Sequence, residues 1–255
     1  MQSNLKNQSI VLKSLKEIHL IEYNKVINIQ FQKDLFIGDK GATVISNFIE
    51  QIQQLESLKL VFSQNNNLSS LGLSKISQSI GKQNNIIDLS IEIQGLNEID
   101  TNGIKSFGEI FEKLKILKSL SFCICRNNIL DGISFLMEGI KTLINLETLI
   151  LSFQRNVNLG SSFMKKVESA LQFIPNLKQL NISLGWQSKI GKEGAQSLGV
   201  ILQNQKNLEF LIINIGSDNN ITGDGLNYIS QGLKFLTKLK NLNLYIGCHI
   251  ARLIK

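Results

Sequence analysis

Cys123 and Cys125, two positions apart, are the first residues that could do chemistry. On one strand they share a face, at positions about 7 Å apart, which is too far for an easy disulfide. A metal would need further ligands, and the two histidines, His19 and His249, stand near opposite ends of the chain. The pair therefore reads as two free thiols. The glycine turns Gly38 to Gly41, Gly191 to Gly194 and the shorter Gly223 to Gly225 resemble phosphate-cradling loops, but no Lys-Ser/Thr pair follows them. They read as helix starts where a Cβ would clash with a neighbouring unit, with Thr222 and Asp224 as N-caps. Serines are plentiful, yet neither histidine can be set beside a nucleophile and an acid together, and the carboxylates are scattered along helical stretches. The expectation is a protein that is not an enzyme, with no catalytic set, no cofactor and no metal.

The elements that position these residues follow from self-similarity. The anchor positions Gly41, Gly72, Gly103, Gly132, Phe163, Gly194 and Gly225 recur every 31 residues, save 29 between Gly103 and Gly132. Stepping back once more from Gly41 reaches Ile10, which opens a degenerate first unit and brings the total to eight. After each anchor the apolar residues first fall four apart, as in Gly41, Ile45 and Ile49, or Gly103, Phe107 and Phe111. That is the spacing of one helical face. The period then drops to two, as in Leu58, Leu60 and Phe62, or Leu242, Leu244 and Ile246. Alternation at that period is a strand with one buried face. Pro175 falls where helix gives way to turn, a place that needs no backbone donor.

A single unit of this size buries too few apolar side chains to offset the entropy of ordering its backbone. Stacking on both neighbours supplies the missing burial and pairs each strand with the next. The expected architecture is α/β: about eight helix–strand repeats of 31 residues, with a parallel sheet on one side and helices on the other. Helices are about 10 Å wide and strands sit about 4.8 Å apart, so the stack must curve into a horseshoe with the sheet on the concave face.

The pattern L-x-x-L-x-L, an Asn-containing loop and then I-x-x-x-G-x-x-x-L resembles the leucine-rich repeats of the ribonuclease-inhibitor-like type, over residues 10 to 250. That resemblance implies a horseshoe solenoid that binds other proteins, usually through its concave sheet. The family's loop Asn corresponds to Asn66, Asn97, Asn127 and Asn219, while Val157 and Ser188 stand in its place in two units. Gaps in the Asn ladder are expected there. The units are also longer than the family's usual repeat, with the extra residues between strand and loop, such as Gly216, Ser217 and Asp218.

Unbroken repetition over 255 residues, without a linker, reads as one domain: residues 1–36 as a degenerate first repeat, 37–246 as regular repeats, and 247–255 as a tail or the start of a further repeat. In the first unit Lys6, Ser14 and Asn24 occupy positions that are apolar elsewhere, which suits a cap. After the last strand no such unit follows, and an open apolar sheet edge would invite pairing, so either the nine-residue tail folds over it, or a partner covers it, or the chain is a fragment of a longer array. No apolar run reaches the length of a membrane span, and the first residues lack the apolar core of a signal peptide. Three cysteines, none flanking the array, favour a reducing, cytoplasmic setting.

Alternation places these residues on the concave face, from first unit to last: Asn28 and Gln30; Lys59 and Val61; Ser90 and Glu92; Ser121 and Cys123; Ile150 and Ser152; Asn181 and Ser183; Ile212 and Asn214; Asn243 and Tyr245. Only Lys59 and Glu92 are charged, so the face reads as a neutral, hydrogen-bonding groove. Eight strands span about 34 Å, room for a standard interface. Trp186, just past a strand, sits on the rim as a candidate anchor. The net charge of +7 raises the possibility of nucleic acid, but the lysines cluster on helices and turns rather than along one stripe with aromatics. The expected function is a non-catalytic scaffold that binds a protein partner through the concave sheet or the open C-terminal edge, as one subunit of a larger assembly. The alternative is a GTPase regulator resembling the Ran GTPase-activating proteins, which share this repeat type.

Overall fold

A computed structural model describes residues 10–21, 26–95, 97, 99–125, 131–247 and 249–254, so the expectations resting on Lys6, Asn24 and Asn127 fall outside it. A short strand β1 (Ile10–Leu12) and a 3-10 helix (Leu15–Leu20) lead into β2 (Val26–Phe31). Helix–strand pairs follow: α1 (Gly38–Gln51) and β3 (Ser57–Phe62), α2 (Ser70–Ile80) and β4 (Asp88–Ile93), α3 (Thr101–Phe111) and β5 (Ser119–Ile124), α4 (Gly132–Ile140) and β6 (Thr148–Phe153). The last three are α5 (Gly160–Leu171) and β7 (Gln179–Leu184), α6 (Gly191–Asn204) and β8 (Phe210–Ile215), α7 (Gly223–Leu233) and β9 (Asn241–Ile246), before a final strand β10 (His249–Ile254). All strands lie in sequence order in one ten-stranded sheet, and β1 to β9 are parallel. Each helix packs beside the next on the other side of the core.

Strand register follows the repeat, with Leu58, Leu89, Leu120, Leu149, Leu180 and Leu211 in one row. In β4, β5 and β6 every second residue is buried and the intervening ones are not, so one face of the sheet belongs to the core. Phenylalanines fill the wider gaps: Phe31 stacks on Phe62 with centroids 5.0 Å apart, and Phe107 meets Phe122 edge-on at 5.0 Å. Phe163 stands at an anchor position that is glycine in six other units. It packs edge-on against Phe153 at 5.3 Å, and α4 and α5 touch more sparsely than any other neighbouring α-helices.

The anchor glycines make room for two different neighbours. A Cβ on Gly132 would come 2.7 Å from Ile104 of the preceding helix, and one on Gly103 would come 2.9 Å from Ser70 Oγ. At Gly41 and Gly194 the nearest obstacle is instead the isoleucine four residues earlier in the same unit, Ile37 or Ile190. A second glycine set lies further along the helices. Cβ atoms on Gly108 and Gly139 would run into the facing backbone of α4 and α3, and those on Gly199 and Gly232 into α7 and α6. These pairs let whole helix backbones approach each other.

Side chains join the repeats at their ends. Asp39 of α1 accepts hydrogen bonds from the Ser69 and Gly72 amides at 3.2 and 3.1 Å, placing a carboxylate at the N-terminus of α2. Buried Gln83 and Gln205 donate to Ile49 O and Leu171 O, each at 2.8 Å. They close the C-terminus of the preceding helix from a position where other units bury Leu114 or Ile174. Thr222 caps α7, accepting from the Gly225 amide at 3.4 Å. Asp224 does not cap: it lies inside the first turn and pairs with Lys192 of the preceding repeat at 2.7 Å.

The loop ladder is fuller than the repeat spacing suggests. Asn66, Asn97 and Asn219 are buried and donate to loop carbonyls three residues back, at 2.7–2.8 Å. Where Val157 was expected to break the row, Asn156 fills it, donating to Phe153 O at 3.0 Å and Ile124 O at 2.7 Å. The loop there is one residue shorter on the strand side, so Val157 is pushed out to 52% exposure. Ser188 also serves, donating to Gly185 O at 3.0 Å.

The C-terminal edge of β9 is not open. Strand β10 turns back at Gly247, whose φ of +60° suits glycine, and pairs antiparallel from His249↔Ile246 to Ile254↔Asn241. Reversal is the short route here, since a parallel strand would need another helix to cross over. Among the described residues no helix is long and apolar enough to cross a membrane.

Candidate functional site

Parallel register sets the solvent face of the sheet into two continuous rows. One runs Asn28, Lys59, Ser90, Ser121, Ile150, Asn181, Ile212, Asn243; the other runs Gln30, Val61, Glu92, Cys123, Ser152, Ser183, Asn214, Tyr245. In the register of β10, Arg252 stands opposite Asn243 and Ile250 opposite Tyr245. The rows are locally knit: Gln94 donates to Glu92 at 2.9 Å and Ser183 donates to Asn181 at 2.9 Å. Lys59 and Asn243 are exposed, whereas Val61 and Ser183 are sunk to 5% and 7% exposure. Neither Cys123 nor Cys125 is joined in a disulfide. Burial pushes Cys125 up to about 11, with Cys123 and Glu92 adding to it and Arg155 opposing. Burial likewise raises Cys123. At neutral pH such groups stay protonated and are poor nucleophiles. Among the described residues no group of three or more His, Cys, Asp or Glu side chains could hold a metal.

Trp186 lies outside the rows, two residues past the end of β7, and is 73% exposed. It lines a cavity of about 640 Å³ with Gln154, Arg155, Val157, Asn214 and Tyr245, over a floor of Leu184, Gly185 and Gly216. The site joins the end of the second row to the loops after β6, β7 and β8. A Cβ on Gly216 would come 2.6 Å from Trp186 Cδ1, so the bare glycine gives the indole its place. Of the residues that alternation and position nominate for binding, Trp186, Asn214 and Tyr245 meet here; Asn28, Gln30, Lys59, Glu92, Ser121, Ser152, Asn181 and Asn243 do not line it.

Gln154, Arg155, Val157 and Gln187 are not singled out by pattern as binding residues. A signal for two of them exists in the loops. Just before the buried Asn66 and Asn219, Asn65 and Asp218 take a left-handed conformation at φ 58° and 60°. Arg155 and Gln187 hold the same conformation at φ 61° and 54°. Asx side chains tolerate that region better than long ones, so the cavity is flanked by two strained positions.

The opposite end of the sheet carries an alternating charge row. Lys118, Glu147, Lys178, Glu209 and Lys240 each immediately precede a strand, and each amide from 147 onward donates to the carbonyl of the previous member. Glu147 thus meets Lys178 at 2.6 Å and Lys118 at 3.9 Å, and Glu209 meets Lys240 at 2.6 Å. Hydrogen bonds from Lys178 and Lys240 hold Glu147 and Glu209 below the usual carboxylate range. These two carboxylates sit on the sheet rim because their backbones extend the strand ladder by one step. The row borders a groove of about 630 Å³ with Asn145, Asn176 and Asn207. Its charges satisfy each other, which marks it as inter-repeat structure.

A parallel sheet in sequence order, one helix per strand and a buried Asn or Ser in the loops after β3, β4, β6, β7 and β8 define a leucine-rich-repeat-like solenoid. No protein-family pattern matches the chain, and no curated protein matches it. Among solved structures, a chain in the crystal structure of the Rad7 and Elc1 complex in yeast is similar, with a TM-score of 0.46 and 16% identity. The similarity covers 92% of this chain and 59% of that one, so this chain spans less than two-thirds of the other's length.

Proposed function

We propose that this chain is a non-catalytic protein-binding scaffold that takes its partner on the solvent face of its sheet, as a subunit of a larger assembly. The observation that carries the reading is the pair of in-register rows, largely uncharged and rich in amide and hydroxyl groups, with an exposed tryptophan beside Asn214 and Tyr245 of the second row. A rigid sheet presents such groups with little ordering cost on binding, and tryptophan is among the residues that interfaces use as anchors for affinity. The repeat is of the ribonuclease-inhibitor type within its class, a reading supported by true α-helices of 9 to 14 residues opposite the strands. Because β10 covers β9, the sheet face rather than the last edge is the surface assigned to the partner.

Crosslinking mass spectrometry on the protein from its native source tests this. Lys59 should crosslink to one abundant protein, and the triple change Lys59→Ala, Glu92→Ala, Asn181→Ala should weaken that complex at least tenfold. An unchanged affinity would move the site off the rows.

A further inference from the structure

We infer that the Trp186 cavity is the docking point for an extended segment of a partner protein in which an apolar side chain stands beside a carboxylate. This rests on the partner-binding reading above and adds to it the chemistry of the segment.

Three observations converge on the cavity. The first is its apolar surface: Trp186 and Val157 are 73% and 52% exposed, and buried Leu184 also lines it. Large apolar groups so exposed gain by being covered. The second is its charge. Arg155 is the one charged residue in the lining, no Asp or Glu contributes to it, and Arg155 makes no ion pair among the described residues. Within the cavity lining this guanidinium is therefore the group available to a ligand's negative charge. Its planar fork suits a carboxylate. The third is backbone: the loop conformation that Asn65 and Asp218 take with little strain is held here by Arg155 and Gln187. Long side chains in that region bring a reaching donor to the cavity mouth, and such strained positions cluster at ligand clamps.

The remaining lining specifies an extended peptide. Gln154, Gln187 and Asn214 offer amides that can both donate and accept, which matches a main chain, and Tyr245 adds a hydroxyl at the end of the second row. A cavity of about 640 Å³ holds one or two side chains rather than a folded surface. The apolar residue of the segment packs on Trp186 and Val157, and its neighbouring carboxylate meets Arg155.

Trp186 is the chain's one tryptophan, so its fluorescence reports the cavity directly. A random peptide library displayed on phage is panned against the intact chain. Recovered peptides are then synthesised and titrated, by fluorescence for the native chain and by calorimetry for variants. The expected peptides carry Phe, Leu, Ile or Trp within two positions of Asp or Glu. They shift Trp186 emission, and bind at least tenfold more weakly to Arg155→Gln and to Trp186→Ala while ignoring Lys59→Ala. Recovery of no peptides, of peptides without an acid, or of peptides that bind Arg155→Gln equally well overturns the proposal. So does a single-stranded oligonucleotide that quenches Trp186 where no peptide does. If the peptides fail but the native complex still depends on Lys59 and Glu92, the scaffold reading stands and only the cavity assignment is lost.

Discussion

Trp186 owes its exposed position to Gly216 one repeat later: a Cβ there would come 2.6 Å from the indole Cδ1 and 3.1 Å from the Trp186 amide nitrogen. Gly216→Ala is therefore expected to displace the ring and shift a backbone step, costing about 1–3 kcal/mol by overpacking. The emission maximum of Trp186 and a urea titration read the two effects together. An unmoved emission maximum would show that the ring does not depend on the glycine.

The helix-to-helix glycines make a sharper contrast. Gly139→Ala pushes a methyl into the Gly108 backbone of α3, and should cost about 1–3 kcal/mol. Gly223→Ala, at the first position of α7 with nothing within 4 Å, should be neutral or stabilise by up to about 1 kcal/mol. Thermal unfolding of the pair decides; equal effects would mean that helix approach does not limit the array.

Relieving the strained loop position should help stability. Gln187→Gly places the residue that favours φ near +54° in the loop and is expected to gain about 0.5–1 kcal/mol. The same change removes an amide from the cavity. A variant that is more stable in urea yet binds cavity peptides less well is the predicted outcome.

The charge row predicts a salt signature. Lys178→Glu sets three carboxylates side by side with Glu147 and Glu209, so the melting temperature should fall at low ionic strength and recover near 1 M salt, where screening acts within about 3 Å. The two native glutamates titrate below their usual range in the fold. Their contribution is present above the unfolded carboxylate value and is lost as pH falls through the lower, folded one. Melting curves between pH 7 and pH 3, with and without Glu147→Gln, check the sign.

Cys125 should alkylate slowly at neutral pH. Its folded value of about 11 lies above the ordinary 9, so the folded chain keeps the proton longer than the unfolded chain does. Its contribution to stability is full below about 9 and is lost as pH rises through about 11. Iodoacetamide labelling, followed by mass spectrometry across that window, should show a rate that climbs with pH up to the upper value; a plateau near pH 9 would contradict the buried setting.

The sequence alone determined the periodic part of this protein. A four-residue period from Gly103 to Phe111 and a two-residue period from Leu242 to Ile246 can each bury one face in a single way, so helices, strands, register and the two polar rows were legible from spacing. The features it did not disclose depend on residues brought together across repeats. Asn156 fills the ladder because a loop is one residue shorter, and the glycine pair Gly108 and Gly139 matters because two helices stack at that height. Arg155, Val157, Trp186 and Tyr245 come from three different repeats and form a cavity only once the strands are stacked. Burial and charge pairing at such a site are sums over neighbours far apart in the chain, and only the tertiary structure sets which neighbours those are.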